Sequence, residues 1–354
     1  MRKISWLFVL VLTLSLVLAA CGGGSGEDSE GGTDDEGSGG EEGTEESGGD
    51  SGGSDDGGTE AGEDWVENIT LLTGGEAGVY FPLGVALADI IDANVDGVTA
   101  TGVSSGASVT NAEQLNNGEA QLALVQNDIA YFGAEGINMF DSPLENYSGM
   151  FTIYPETIQL VTVEGTGVES VSDLEGMRVA IGDVGSGTEA NATQILEAHG
   201  LSVEDINAQS LDFADASTNL QDGNIDAAFV TAGTPTGAIQ ELSASADVRL
   251  VNMEQDAMDS LMEEYNYYVQ QDIPSDAYEN FDSETTTVAV QAMMIGSNDI
   301  PEDQMHEITR VIFENLDEVA NAHVRGEELS IDTAEDGMSI DLHPGVQSYY
   351  DEQQ

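Results

Sequence analysis

Four short turns hold the residue types best suited to recognising a ligand. "TGGEAGVYF" supplies Gly74, Gly75 and Gly78, and "SSGAS" supplies Ser105, Gly106 and Ser108. "VGSGTE" supplies Ser186, Gly187 and Thr188, and "FVTAGTPTG" supplies Thr231 and Gly233. Each places glycines and hydroxyls just ahead of a helical pattern. The first backbone N–H groups of a helix have no partner within it, and that end carries about half a positive charge. Such an end can bind an anion without any lysine or arginine. The third turn resembles a phosphate-gripping loop, but Gly187 is followed by Thr188 and Glu189 instead of Lys-Ser/Thr. A singly charged carboxylate is therefore expected there. The Ser186 and Thr188 hydroxyls and the amides of residues 187–189 would donate to it, with the Glu189 side chain turned away. Every βα turn needs a helix cap, so one such turn says little, but four in two units, all at the carboxyl ends of strands, point to a ligand cleft.

Constellations for catalysis are scarce. "HEITR" (306–310) begins like the zinc motif H-E-x-x-H but carries Arg310 where the second ligand belongs. His199, His306, His323 and His343 show no ligand spacing. There is no G-x-S-x-G elbow and no Walker turn. No enzymatic activity, catalytic residue, cofactor or metal is expected.

The elements that must position these turns alternate along the chain. Residues 68–75, 98–103 and 120–128 read as strands, separated by helical spacing over 79–95 and 108–119. In the first helix Leu83, Leu87, Ile90 and Ile91 share one face. The pattern restarts with a strand at 177–183 and a helix at 187–200. Further alternation runs to 253, a β-rich run follows at 285–297, and a helix is expected over 302–323. This order predicts an α/β fold with parallel sheets covered by helices. Two lobes are expected, joined by crossing strands near 155–163 and 285–292, with a ligand cleft between them. Residues 65–158 and 289–354 would form lobe 1, and residues 159–288 lobe 2.

Ahead of the folded part, residues 1–20 have a short basic start and an apolar run that reads as a secretory signal. "LAAC" resembles a bacterial lipobox ending at Cys21, the single cysteine. Residues 22–64 contain only Gly, Ser, Thr, Ala, Glu and Asp, so they cannot build a core. They read as a disordered acidic tether, spanning roughly 35–40 Å as a neutral coil and more when charged. The expected location is outside the cytoplasm, on the membrane through the Cys21 lipid. Residues 65–354 hold 52 acids against four arginines and no lysine, a net of −48. That balance argues against nucleic acid as a partner. It fits high salt, where the Debye length falls to about 3 Å at 1 M and self-repulsion is screened.

Taken together, "TGGEAGVYFPLGVALADII", "GVSSGASVTNAEQLNNGEAQLALVQNDIAYF", "VGSGTEANATQILEAHGL" and "LHPGVQSYY" resemble the TAXI family of receptors for TRAP transporters. The resemblance covers nearly all of residues 68–350. It implies a two-lobed periplasmic-binding-protein-like fold of the discontinuous type. It implies capture of a small carboxylate, glutamate, glutamine or similar, and delivery to a TRAP membrane permease driven by an ion gradient. Thr73, Val79 and Tyr80 in the first turn, and Gln126 and Asn127 in "QND", join the turn residues as implied ligand contacts. Ala107 stands where relatives commonly have a second glycine. A receptor for an ATP-driven transporter would share the fold. A secreted α/β hydrolase would need a nucleophile–base pair that the sequence does not offer.

A chain starting at Trp65 is expected to fold and bind as well as the full mature chain. Mass spectrometry of membrane-extracted protein should show lipid on Cys21, and an unmodified thiol there would remove the anchor.

Overall fold

The structure is a computed structural model that describes Gly62 and residues 64–354. The signal, Cys21 and the acidic tether, apart from Gly62 and Asp64, lie outside the described residues. The first unit runs β1 (Asn68–Leu72), α1 (Tyr80–Asn94), β2 (Thr99–Val103), α2 (Ser108–Asn116), β3 (Leu122–Gln126) and α3 (Asn127–Glu135). β1 pairs parallel with both β2 and β3. The second unit runs β5 (Arg178–Ala180), α4 (Gly187–Ala198), β6 (Asn207–Gln209), α5 (Phe213–Gln221), β7 (Ala227–Ala232) and α6 (Gly237–Ser243). Here β5 pairs parallel with β6 and β7.

Two long strands join the units. β4 (Tyr147–Val163) and β10 (Thr285–Ser297) pair antiparallel with each other, β10 also borders β3, and β4 also borders β7. The strand order is β2-β1-β3-β10-β4-β7-β5-β6. β8 (Val248–Leu250) adds to β4, and β9 (Val269–Ile273) adds to β10. The molecule is thus two α/β lobes with an antiparallel seam between them. At mid-seam Pro155 lies opposite Gln291, and the register shifts before Met293. A proline cannot donate to a ladder, so an irregularity there accommodates it.

Burial explains the element patterns. β3, "LALVQ", is buried throughout, as expected of a parallel strand covered on both faces. Leu83, Leu87, Ile90 and Ile91 are all fully buried, on the face that the helical spacing predicts. α8 (Glu302–Glu314) and α9 (Leu316–Ala322) pack against α1, and α10 (Pro344–Gln353) packs against α8. The late part of the chain therefore completes the first lobe.

Three elements differ from the sequence reading. The expected strand near 155–163 begins at Tyr147. The helix expected over 302–323 is two helices, broken at Asn315, which has φ −123° and ψ 32°. The Asn315 side chain donates to the Val311 carbonyl at 2.7 Å, a local bond that competes with helix continuation. α7 (Gln255–Glu264) and β9 fill a stretch for which the sequence pattern assigned no element.

Ala107, just before α2, has φ 67° and ψ −152°, a region open essentially only to glycine. Strain of about 1–3 kcal/mol at such a residue exceeds the extra chain entropy that a glycine loses on folding, about 0.5–1 kcal/mol. Ala107→Gly should therefore raise stability by about 1 kcal/mol. Urea unfolding in molar salt would check this, and a lower midpoint would contradict it.

Candidate ligand-binding site

A hollow opens between the lobes at the carboxyl ends of the parallel strands. From the first lobe come Gly74, Gly75, Gly78, Val79 and Tyr80 around the start of α1, Ala107 and Ser108 at α2, and Gln126 at the end of β3. From the second come Asp183, Ser186, Gly187 and Thr188 around α4, Asp212 and Phe213 at α5, and Thr231 at the end of β7. β4 contributes Tyr154 and Glu156, two residues apart and so on one face of the strand. The empty volume is about 540 Å³, counting space open to solvent at the mouth.

Five residues singled out from the sequence stand outside this lining. Thr73 is fully buried and donates through Oγ1 to the Val103 carbonyl at 2.8 Å. Ser105 Oγ donates to the Thr73 carbonyl at 3.0 Å, so both fasten the first turn to the second. Gly106 faces Thr110, and Gly233 is packed between the Tyr154 ring and the Arg325 side chain. The Asn127 side chain accepts from the Gln291 amide and donates to the Gly337 carbonyl, both at 3.0 Å. It therefore ties α3 to the seam and borders a separate hollow.

The lobes touch directly around the hollow. Gly187 lies against the Gln126 side chain so closely that a Cβ would collide with it. The Val109 and Thr110 amides at the start of α2 donate to the Gly185 carbonyl of the second lobe, at 3.1 and 3.3 Å. In return, the Ala238 amide near the start of α6 donates to the Ala77 carbonyl of the first lobe at 3.1 Å. Two of the four helix starts are thus partly satisfied by the opposite lobe, leaving α1 and α4 as the ends aimed into the hollow.

At α4 the geometry corrects one expectation. Ser186 Oγ caps the helix by accepting from the Glu189 amide at 3.2 Å, so that amide is already taken. The Glu189 carboxylate bends back to accept from the Gly185 amide at 2.9 Å. The donors left facing the hollow from this turn are the Gly187 and Thr188 amides and the two hydroxyls.

On the floor, Glu156 and Tyr154, which sequence reasoning missed, join the expected Tyr80, Gln126 and Thr231. Glu156 is buried and accepts a hydrogen bond from the Tyr80 hydroxyl. Desolvation pushes its pKa up to about 8 against the opposing pull of Tyr80, with a smaller upward push from Asp128. Gln126 Oε1, Tyr154 Oη and Thr231 Oγ1 are buried without protein partners. A buried polar atom left unpaired costs about 1–3 kcal/mol, so three around one hollow mark a place where something else supplies the bonds.

A second buried acid bridges the lobes behind the hollow. Asp128, at the start of α3, accepts from the Asn191 side chain of α4 at 2.8 Å. Asn191 also donates to the Tyr268 hydroxyl at 2.9 Å, and Tyr268 donates on to Gln194. Burial raises Asp128 to about 7. Among the described residues, no three His, Cys, Asp or Glu side chains are placed to hold a metal, and no helix is long and apolar enough to cross a membrane.

The sequence model of the NMT1-like family matches residues 71–353. Among solved structures, the chain is similar to the periplasmic aliphatic sulphonate binding protein SsuA of Escherichia coli. That pair is 18% identical over 81% of this chain and 83% of the other, with a TM-score of 0.46. SsuA of Xanthomonas axonopodis pv. citri, bound to MOPS, is 14% identical over 81% and 84%, with a TM-score of 0.44. A putative L-cystine ABC transporter protein of Listeria monocytogenes is 14% identical over 76% and 98%, with a TM-score of 0.46.

The two buried acids give the ligand-free protein a pH signature. A carboxyl with a raised folded-state pKa keeps its proton in the fold while the unfolded chain releases it. Its stabilising effect is fully present below the unfolded pKa and is lost as pH rises through the folded one. For Asp128 and Glu156 that loss runs from about pH 4 to about 7 and 8. His323 and His343, both lowered chiefly by burial, work in the opposite sense at acidic pH, so the clean window lies above pH 6.5. In molar salt, stability should fall between pH 6.5 and 8, by up to about 1.4 kcal/mol per unit for each group. Asp128→Asn should flatten the lower part of that slope, and a stability that rises with pH there would refute the assignment.

Proposed function

Because the chain belongs to the NMT1-like family, and because its lobes enclose a hollow lined by helix starts, we propose that it is the extracytoplasmic solute-binding receptor of a TAXI-type TRAP transporter. It captures a small carboxylate, such as glutamate or glutamine, and delivers it to a membrane permease driven by an ion gradient. Lipid on Cys21 holds it at the membrane, and its acidic surface suits high salt. No catalytic step is assigned to it.

The observation that carries this reading is the pairing of the α1 and α4 starts across one hollow that contains unpartnered buried side chains. The ligand carboxylate would rest on the Gly187 and Thr188 amides, the Thr188 hydroxyl and the start of α1. No lysine is needed there, because helix-end amides and hydroxyls donate to a single negative charge. Gly187 also admits Gln126 from the other lobe, so capture and lobe contact meet at one residue.

A receptor for an ATP-driven transporter would use the same two-lobed cleft. An adjacent permease gene and uptake assays separate the two: collapse of the ion gradient stops TRAP uptake, whereas ATP depletion stops the other.

Calorimetry in high salt against amino acids and dicarboxylates tests the ligand class, and binding only to sugars or uncharged solutes would refute it. Thr188→Ala should weaken binding about ten- to a hundredfold, the effect of losing one charge-assisted hydrogen bond. The melting temperature of the ligand-free variant should be nearly unchanged. Unaltered affinity in both Thr188→Ala and Ser186→Ala would mean that this turn is only a helix cap.

A further inference from the structure

We propose that closing the lobes binds a proton at Asp128 along with the solute, so that the protein captures its solute more tightly in acid than in alkaline solution. This rests on the receptor reading only in taking the lobes to open and shut, and it holds for a solute of any class.

Solute entry needs the lobes to part. Gln126, Thr188 and Ser186 line the hollow and are 2%, 3% and 5% exposed. Gln126 lies against Gly187 of the opposite lobe, and the bonds at Gly185 and Ala77 hold the lobes together on either side. The groups that would meet a solute stay covered until those contacts separate.

Asp128 lies on the same dividing surface. It starts α3 of the first lobe and is fully buried. One carboxylate oxygen accepts from the Ile129 amide of its own helix at 2.9 Å, and the other accepts from Asn191 of α4, in the second lobe, at 2.8 Å. Asn191 is also fully buried, and its other contact, the Tyr268 hydroxyl, belongs to the second lobe as well. Parting the lobes therefore takes Asn191 and Tyr268 away from Asp128 together and puts water in their place.

The shut form has no cation for this acid. The titratable groups that face it are Glu156 from β4 and Tyr267 and Tyr268 from the segment before β9. Both tyrosines are pushed above their ordinary range by burial and stay neutral. α4 presents the neutral Asn191, and His199 at the far end of that helix pairs with Glu254. Arg178, Arg310 and Arg325 are paired with other acids. An acid buried without a counter-charge neutralises by keeping its proton. Burial accordingly raises Asp128 to about 7, whereas a solvated carboxyl has lost its proton by about pH 4.

The sign follows. Between about pH 4 and 7 the shut form holds a proton that the open form has released, so closing takes one up. Proton and solute then strengthen each other's binding, and solute affinity falls by up to about tenfold per pH unit across that span. Glu156, raised by burial to about 8, pulls in the same direction if opening wets it.

Amide hydrogen exchange of the ligand-free full chain, in molar salt from pH 5 to 8, reads the opening without any solute. The Val109, Thr110 and Ala238 amides hold the opposite lobe and should exchange before those of β3. Their protection, corrected for the intrinsic rate, should fall by up to about tenfold per unit between pH 5 and 7. Asp128→Asn, neutral at every pH, should remove most of that fall and leave the part due to Glu156. Protection that stays level or rises with pH, an equal slope in the variant, or exchange of these amides only together with β3 would each overturn the proposal. The first and third of these need only the unaltered protein, so they decide even if the variant fails to fold. Calorimetry with L-glutamate at pH 6, in two buffers of different ionisation heat, counts the protons. Uptake of roughly one to two per solute is expected, and binding with no uptake would overturn the proposal. If L-glutamate does not bind, the carboxylate reading fails while the exchange result still decides the proton.

Discussion

The antiparallel pairing of β4 with β10 is the interaction on which the rest of the architecture depends. Each parallel sheet is a local product of its own βα units, but neither would have a fixed partner without this seam. β10 carries the first lobe's β3 on one side and β4 on the other, and β4 continues to β7 of the second lobe. Backbone hydrogen bonds therefore run unbroken from one lobe to the other. The same seam delivers Tyr154 and Glu156 to the cleft floor, beside the irregularity at Pro155. The Glu156 carboxyl thus comes from a strand paired on both sides, while the helix-start donors come from turns.

Charge is the second constraint. A net of −48 over residues 65–354 works against compactness in dilute buffer, and at molar salt that repulsion is screened. Screening reaches exposed carboxylates and not buried ones. Glu156 and Asp128 are held instead by hydrogen bonds from Tyr80 and Asn191 and by keeping their protons up to about pH 8 and 7 respectively. The four arginines are too few to act as general counter-ions, and Arg178, Arg310 and Arg325 each have a local acidic partner.

Periodicity made much of the fold legible. The α1 face was readable because 3.6-residue spacing and full burial coincide at Leu83, Leu87, Ile90 and Ile91. The helix-start glycines and hydroxyls were readable because they must precede a helix, and most of them do line the cleft. Glu156 was not readable. One carboxylate among 68 carries no signal, and its role comes from Tyr80, Gln126 and Thr231, which lie far from it in the chain. Nor could sequence show that the start of α2 would be met by Gly185, because a carbonyl leaves no trace in residue type. The break at Asn315 escaped for a related reason: the apolar spacing continues through it, while the backbone there leaves helical geometry and the side chain takes the Val311 carbonyl.

The reciprocal clasps at Gly185 and Ala77 bear on time rather than affinity. Each lobe closes with a carbonyl of its own seated on a helix start of the other, so the shut form has bonds to break even when the cleft is empty. If the lobes part to admit a solute, these bonds break first, and the association rate would fall below the encounter limit by the fraction of molecules that stand open. On the proposed receptor reading, such a build would give up speed of capture for length of residence.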